Sequence, residues 1–93
     1  MEAAVFTDVK KVEILEIDKP KVKPNEVLVK IEAAAICTWE QRAFQGINKV
    51  NYPFIGGHEQ SGTIVAVGSD INTDIWNVGD RVVVGLLMSC GEC

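Results

Sequence analysis

Apolar residues in this chain recur at every second position, and that spacing limits what it can become. Val27, Val29, Ile31 and Ala33 alternate with Leu28, Lys30 and Glu32, and Val12 and Ile14 alternate with Lys11 and Glu13. Successive side chains of a strand point to opposite faces, so a two-fold pattern describes half-buried strands rather than helices. Between the two runs, Pro20 and Pro24 cannot donate to a ladder, which makes Asp18–Asn25 a loop. Further strands are expected at Gly62–Val67 and Arg81–Leu87, with Gly68-Ser69-Asp70 and Gly79-Asp80 supplying the turns. At 93 residues, 47% of them hydrophobic, the chain makes one small domain or a piece of one. Short strands divided by turns, with almost no long 3.6-residue periodicity, predict a mainly β fold, a small barrel or sandwich.

Charge and hydropathy remove several classes of partner. Nine basic against thirteen acidic side chains give a formal net charge of -4, and the basic residues are scattered, which argues against nucleic acid. The longest apolar run, Val82–Met88, contains Gly85 and is far shorter than the roughly 20 residues of a membrane helix. A membrane partner is therefore not expected. The N-terminal MEAAVFTDVKK has acids where a signal peptide carries basic residues, and it lacks an apolar core; a cytoplasmic location is the expectation. The cysteines are odd in number, Cys37, Cys90 and Cys93, and the last two form a C-x-x-C. Such usage points to metal or redox chemistry rather than to a disulfide scaffold.

One helical signal interrupts the strands. Thr38-Trp39-Glu40-Gln41 fits a capping box in which Thr38 and Gln41 satisfy one another's amides, with a short helix from Trp39 to Phe44 closed by Gly46. Cys37 then stands just before a helix N-terminus, where the dipole favours a thiolate. A small buried hydrophobe after Ala33-Ala34-Ala35-Ile36 is the competing description of the same residue.

The only histidine, His58, sits in FIGGHEQSG, ahead of Glu59 and among Gly56, Gly57 and Gly62. Clustered glycines mark a sharp turn or a close approach of the backbone. Imidazole and thiolate together suit zinc, and a catalytic zinc takes three protein ligands with an open fourth position. The chain offers Cys37, His58 and, as a third, Glu59 or Glu40. A loop histidine satisfied by backbone groups, with Glu59 accepting amide hydrogen bonds, describes the spacing equally well. Two other motifs fail: Gly57-x-x-x-x-Gly62-Thr63 lacks the lysine of a phosphate loop, and no GxGxxG occurs. Ser61, Ser69 and Ser89 lie in no nucleophile elbow.

The stretch GHEQSGTIVAVGSD, Gly57 to Asp70, resembles the zinc signature of the zinc-containing alcohol dehydrogenases of the medium-chain dehydrogenase/reductase superfamily. EVLVKIEAAAIC (Glu26 to Cys37), VGDRVVV (Val78 to Val84) and the terminal CGEC (Cys90 to Cys93) support the resemblance in the same order. It implies a GroES-like partly open barrel with a short helix after Cys37. It also implies that Cys37 and His58 are zinc ligands, that Glu59 lies beside the metal, and that Cys90 and Cys93 are the first two of four structural zinc cysteines. On this resemblance residues 1–93 are the N-terminal part of a catalytic domain. The Rossmann domain for NAD or NADP and the third catalytic ligand fall outside, so the stretch is expected to be inactive alone. The whole enzyme would pass hydride between a small-molecule alcohol and the nicotinamide, with zinc polarising the alcohol, and is expected to be a homo-oligomer.

The chain departs from the resembled pattern beside the metal. Many relatives carry Ser or Thr two positions after the first zinc cysteine, as a proton relay, and then an Asp that braces the zinc histidine. Here those places hold Trp39, which cannot relay a proton as a hydroxyl does, and Glu40, which keeps the carboxylate with longer reach. Thr38, one position early, either substitutes in the relay or leaves it to another route. The strands GTIVAVG and NVGDRVVV also resemble co-chaperonin barrels. A ring-forming, metal-free co-chaperonin or a free-standing zinc-binding module is therefore the alternative.

Overall fold

The computed structural model describes residues 1–92. Cys93, the second cysteine of the terminal pair, lies outside the described residues. The element order is β1 (Glu2–Asp8), β2 (Lys11–Glu16), β3 (Val27–Ala34), α1 (Thr38–Phe44), β4 (Gln60–Val67) and β5 (Arg81–Val83). The described residues are thus mainly β with one short helix, as expected, and the strands form two open sheets, neither closed into a barrel. The chain divides into two compact units, one of Met1–Lys19 with Ile36–Gly57 and one of Pro20–Ala35 with the residues from His58 on.

In the first unit, β1 and β2 form an antiparallel hairpin in the register Glu2↔Glu16 to Phe6↔Val12, with an irregularity before Asp8↔Lys11. The sequence pattern identifies β2 but not β1, because Ala3 and Ala4 blur the alternation; β1 gains its order from pairing with β2. In the turn the Val9 amide donates to Oδ1 of the adjacent Asp8 at 2.7 Å, and Lys10 lies in the left-handed region at φ 57°. On the other side of β1, Phe6 and Phe54 exchange backbone hydrogen bonds of 2.8 and 3.1 Å, and their rings stack at 4.8 Å. A seven-residue helix is too short to persist alone. α1 is held by burial of Ala43 and by the Lys10 amide, which donates to the Phe44 carbonyl at 2.7 Å.

In the second unit, β4 is the central strand of an antiparallel sheet of order β3-β4-β5. The β3–β4 register runs from Val27↔Val67 to Ala34↔Gln60, and β4 pairs with β5 from Ser61↔Val83 to Thr63↔Arg81. Being central, β4 carries the buried side chain of this unit, Ile64, which is fully inaccessible. Gly62 on the same strand is obligatory for packing, since a Cβ there would lie 2.1 Å from the Lys30 carbonyl oxygen across the ladder. β5 is shorter than the apolar run suggests: it ends at Val83 instead of Leu87, followed by one further bond from the Val84 amide to the Gln60 carbonyl. Leu86, Leu87 and Met88 are exposed. Hydrophobicity alone marks them as strand residues, but among the described residues they have no ladder partner.

Candidate metal centre

The site is built at the end of the β3–β4 ladder. Beyond the last pair, Ala34↔Gln60, the Ala35 amide donates to the Glu59 carbonyl at 3.0 Å, so pairing persists one step further as β3 leaves the sheet and β4 enters it. His58 and Glu59 are thereby set at the end of the sheet from which the chain continues, two residues past Ala35, to Cys37. His58 is 24% and Glu59 50% exposed at the side chain, with 3.9 Å between His58 Nε2 and Glu59 Oε1. Both border an open cleft of about 710 Å³ within this unit, whose walls include Ala34, Ser61, Val84 and Leu86. Imidazole and carboxylate thus reach a space walled by small and apolar groups.

Cys37 is a free, half-buried cysteine in extended backbone, φ -78° and ψ 162°, and it is the N-cap of α1. This corrects the expected capping box by one residue. The pair is Cys37 and Glu40, not Thr38 and Gln41: the Glu40 carboxylate accepts the Cys37 amide at 2.9 Å, while the Gln41 amide is taken by the Cys37 carbonyl at 3.2 Å. A carboxylate is a stronger acceptor for a cap amide than the Gln41 side-chain amide would be, and Thr38 is left as the first helical residue. Glu40 is 5% exposed, which fixes its carboxylate inside the fold.

Thr38 is exposed on the first turn. Trp39 is 43% exposed, and its indole meets Phe54 edge-on at 6.1 Å and 81°. Behind it stand Phe6, stacked on Phe54, and Tyr52, tilted against Phe54 at 5.6 Å, with the Tyr52 hydroxyl donating to the Ala43 carbonyl at 2.6 Å. Pattern reading does not find this aromatic support, because it depends on the non-local Phe6–Phe54 pairing; the only local signal is the aromatic pair around Pro53 in Tyr52-Pro53-Phe54. Cys90 is exposed, and its expected companion Cys93 falls outside the described residues.

Comparison with known proteins agrees with this arrangement of motifs. Residues 23–93 match the family described as the alcohol dehydrogenase GroES-like domain. An alcohol dehydrogenase of Geobacillus stearothermophilus is 43% identical over 97 residues, covering 100% of this chain and 28% of that protein. The zinc-type alcohol dehydrogenase B of Aspergillus flavus is 36% identical, covering 100% of this chain and 22% of that protein. Among solved structures, a short chain alcohol dehydrogenase from E. coli CFT073 complexed with the cofactor NADH superimposes with a TM-score of 0.87 at 35% identity, covering 100% of this chain and 26% of that one. The chain belongs to the alcohol dehydrogenase GroES-like domain family, among the zinc-containing alcohol dehydrogenases of the medium-chain superfamily. It spans about a quarter of the length of these relatives.

Proposed function

We propose that this chain is the N-terminal part of the catalytic domain of a zinc-dependent oxidoreductase that transfers hydride between an alcohol or polyol and NAD or NADP. Cys37, His58 and Glu59 are the proposed metal holders. The observation that carries the reading is the ladder extension from Ala35 to Glu59, which starts the thiol-bearing and imidazole-bearing segments from one end of one sheet. The donor set fits zinc: thiolate and imidazole are borderline-soft ligands, and a carboxylate at His58's side completes or flanks the shell. Family membership supports the same metal, and the NADH held by the similar E. coli enzyme supports a nicotinamide cofactor.

A zinc ion there supplies Lewis-acid polarisation of an alcohol oxygen. The roles of the chain's own residues follow from their chemistry. Glu40 fixes the Cys37 backbone and, in this reading, braces His58. Thr38 carries the hydroxyl available to move a proton on the first turn of α1. Trp39, backed by Phe54, stands where relatives carry the relay hydroxyl and, in this reading, shapes which alcohols are accepted. Cys90 and Cys93 start a second, structural zinc site that needs two further cysteines. Residues 1–93 alone do not turn over substrate, since they contain no dinucleotide fingerprint. The whole protein is proposed to act in the cytoplasm as a homo-oligomer, and no helix among the described residues is long and apolar enough to cross a membrane.

The test is made in the full-length gene product, whose intact mass from the native cell is measured first. His58→Ala is expected to abolish both catalytic zinc and alcohol-dependent reduction of NAD or NADP. Retained activity with full zinc content overturns the assignment. The co-chaperonin alternative gives way to this reading because residues 23–93 match the alcohol dehydrogenase GroES-like domain.

A further inference from the structure

Within the first unit, the β1–β2 hairpin presents one open edge. On β1, Phe6 exchanges its amide and carbonyl with Phe54, away from β2, whereas just past β2 the Ile17 amide turns inward to the Met1 carbonyl at 2.8 Å. Backbone groups along an antiparallel strand alternate between its two sides. In the register Glu2↔Glu16 to Phe6↔Val12, Glu13 and Leu15 therefore bond to β1, and Val12, Ile14 and Glu16 direct their amides and carbonyls outward. Among the described residues no other strand meets them. Such a row is a template for another strand unless a bulge, short length or cover blunts it. The other edges have one of these: β1 is met by Phe54, β3 carries irregularities between Leu28 and Val29 and between Ile31 and Ala33, and β5 is three residues long. Residues 12–16 of β2 pair without irregularity and are exposed throughout, Ile14 by 65%.

We infer that β2 is an interface with a second copy of this chain, the two β2 strands pairing antiparallel about a two-fold axis at Ile14. A two-fold pairing of this edge joins outward-facing residues to outward-facing residues, which leaves few registers. An axis at Glu13 sets two like charges directly opposite, which is unfavourable. An axis at Val12 runs Ile14 against the partner's turn, where Lys10 lies in the left-handed region and gives its amide to Phe44. An axis at Leu15 leaves Val12 beyond the end of the partner's strand. With the axis at Ile14, Ile14 faces the partner's Ile14 and Val12 faces the partner's Glu16, so every outward group is used. The same register brings Lys10 to the partner's Asp18 at both ends of the ladder, a complementary pair of charges. The inference gives the homo-oligomer proposed above an interface and rests on that part of the reading, not on the zinc.

The test uses the full-length gene product. Ile14→Pro removes the amide at the axis but no bond to β1, since that amide points away from it, and edge strands accept proline on their open side. Ile14→Lys keeps the amide and sets two like charges opposite one another. Each variant is expected to halve the mass of the parent oligomer in sedimentation equilibrium while its circular dichroism stays that of the parent. Where Ile14→Pro does not fold, the Ile14→Lys result decides. In the parent, the Val12, Ile14 and Glu16 amides are expected to exchange slowly with deuterium when assembled and faster after dilution to the dissociated state. An oligomer of unchanged mass in the folded variants overturns the interface and leaves the homo-oligomer standing. Equal protection of those amides before and after dissociation also overturns the interface, since it assigns the edge to the protein's own further chain. A parent that is monomeric overturns both.

Discussion

The Glu40 carboxylate accepts a 2.9 Å hydrogen bond from the Cys37 amide, so the buried acid of α1 fixes the backbone of the residue proposed to bind the metal. Removing that acceptor leaves a helix-cap amide unsatisfied in a partly buried place. Glu40→Ala is expected to destabilise the chain by about 1–3 kcal/mol. Glu40→Gln, which keeps an acceptor oxygen, is expected to cost less. Urea unfolding of both variants checks this, and identical midpoints for Glu40→Ala and the parent would contradict it.

Trp39 stands beside the proposed ligands rather than among them, and its half-exposed indole is braced by Phe54. In the full-length protein Trp39→Ser is therefore expected to change the ranking of alcohol substrates, read as kcat/KM ratios, more than it changes zinc content. Parallel loss of zinc would show that the indole supports the fold of the site.

Gly62 faces the Lys30 carbonyl so closely that any Cβ must move a backbone atom. Strain of that kind costs about 1–3 kcal/mol or more. Gly62→Ala is expected to lower the thermal midpoint clearly, and an unchanged midpoint would mean that the β3–β4 register differs from the one described.

Gly46 tests the closure of α1. At φ 79° it occupies the left-handed region, and a Cβ would also press on Val9 Cγ1 at 3.1 Å. Gly79, at φ 96°, has open space around it. Left-handed backbone costs an L-residue about 1–2 kcal/mol, so Gly79→Ala is expected to lose about that much and Gly46→Ala more. The reverse order in denaturant unfolding would refute the hairpin-to-helix packing.

Much of this was legible in the residues, for identifiable reasons. The alternation of Val27–Ala33 and the glycines around β4 encode local strand and turn preferences, and those survive into the fold. The GHE motif carries its own spacing and pointed to His58 and Glu59. What did not show was whatever depends on a distant partner. β1 becomes a strand through β2; Leu86 and Leu87 meet no strand among the described residues. The cap shifted from Thr38 to Cys37 because Glu40 could reach the Cys37 amide, a competition between two acceptors one position apart that the motif alone does not decide. The aromatic support of Trp39 and the Tyr52–Ala43 bond likewise exist only once Phe6 and Phe54 have paired.

The most direct measurement is zinc content. The chain is purified with Cys90→Ser, so that the terminal cysteine pair contributes no binding of its own, and is compared with the same chain carrying Cys37→Ser or His58→Ala. About one zinc ion per chain is predicted for the first and little or none for the other two. Zinc bound equally by all three, or by none, would contradict a metal centre built on Cys37 and His58.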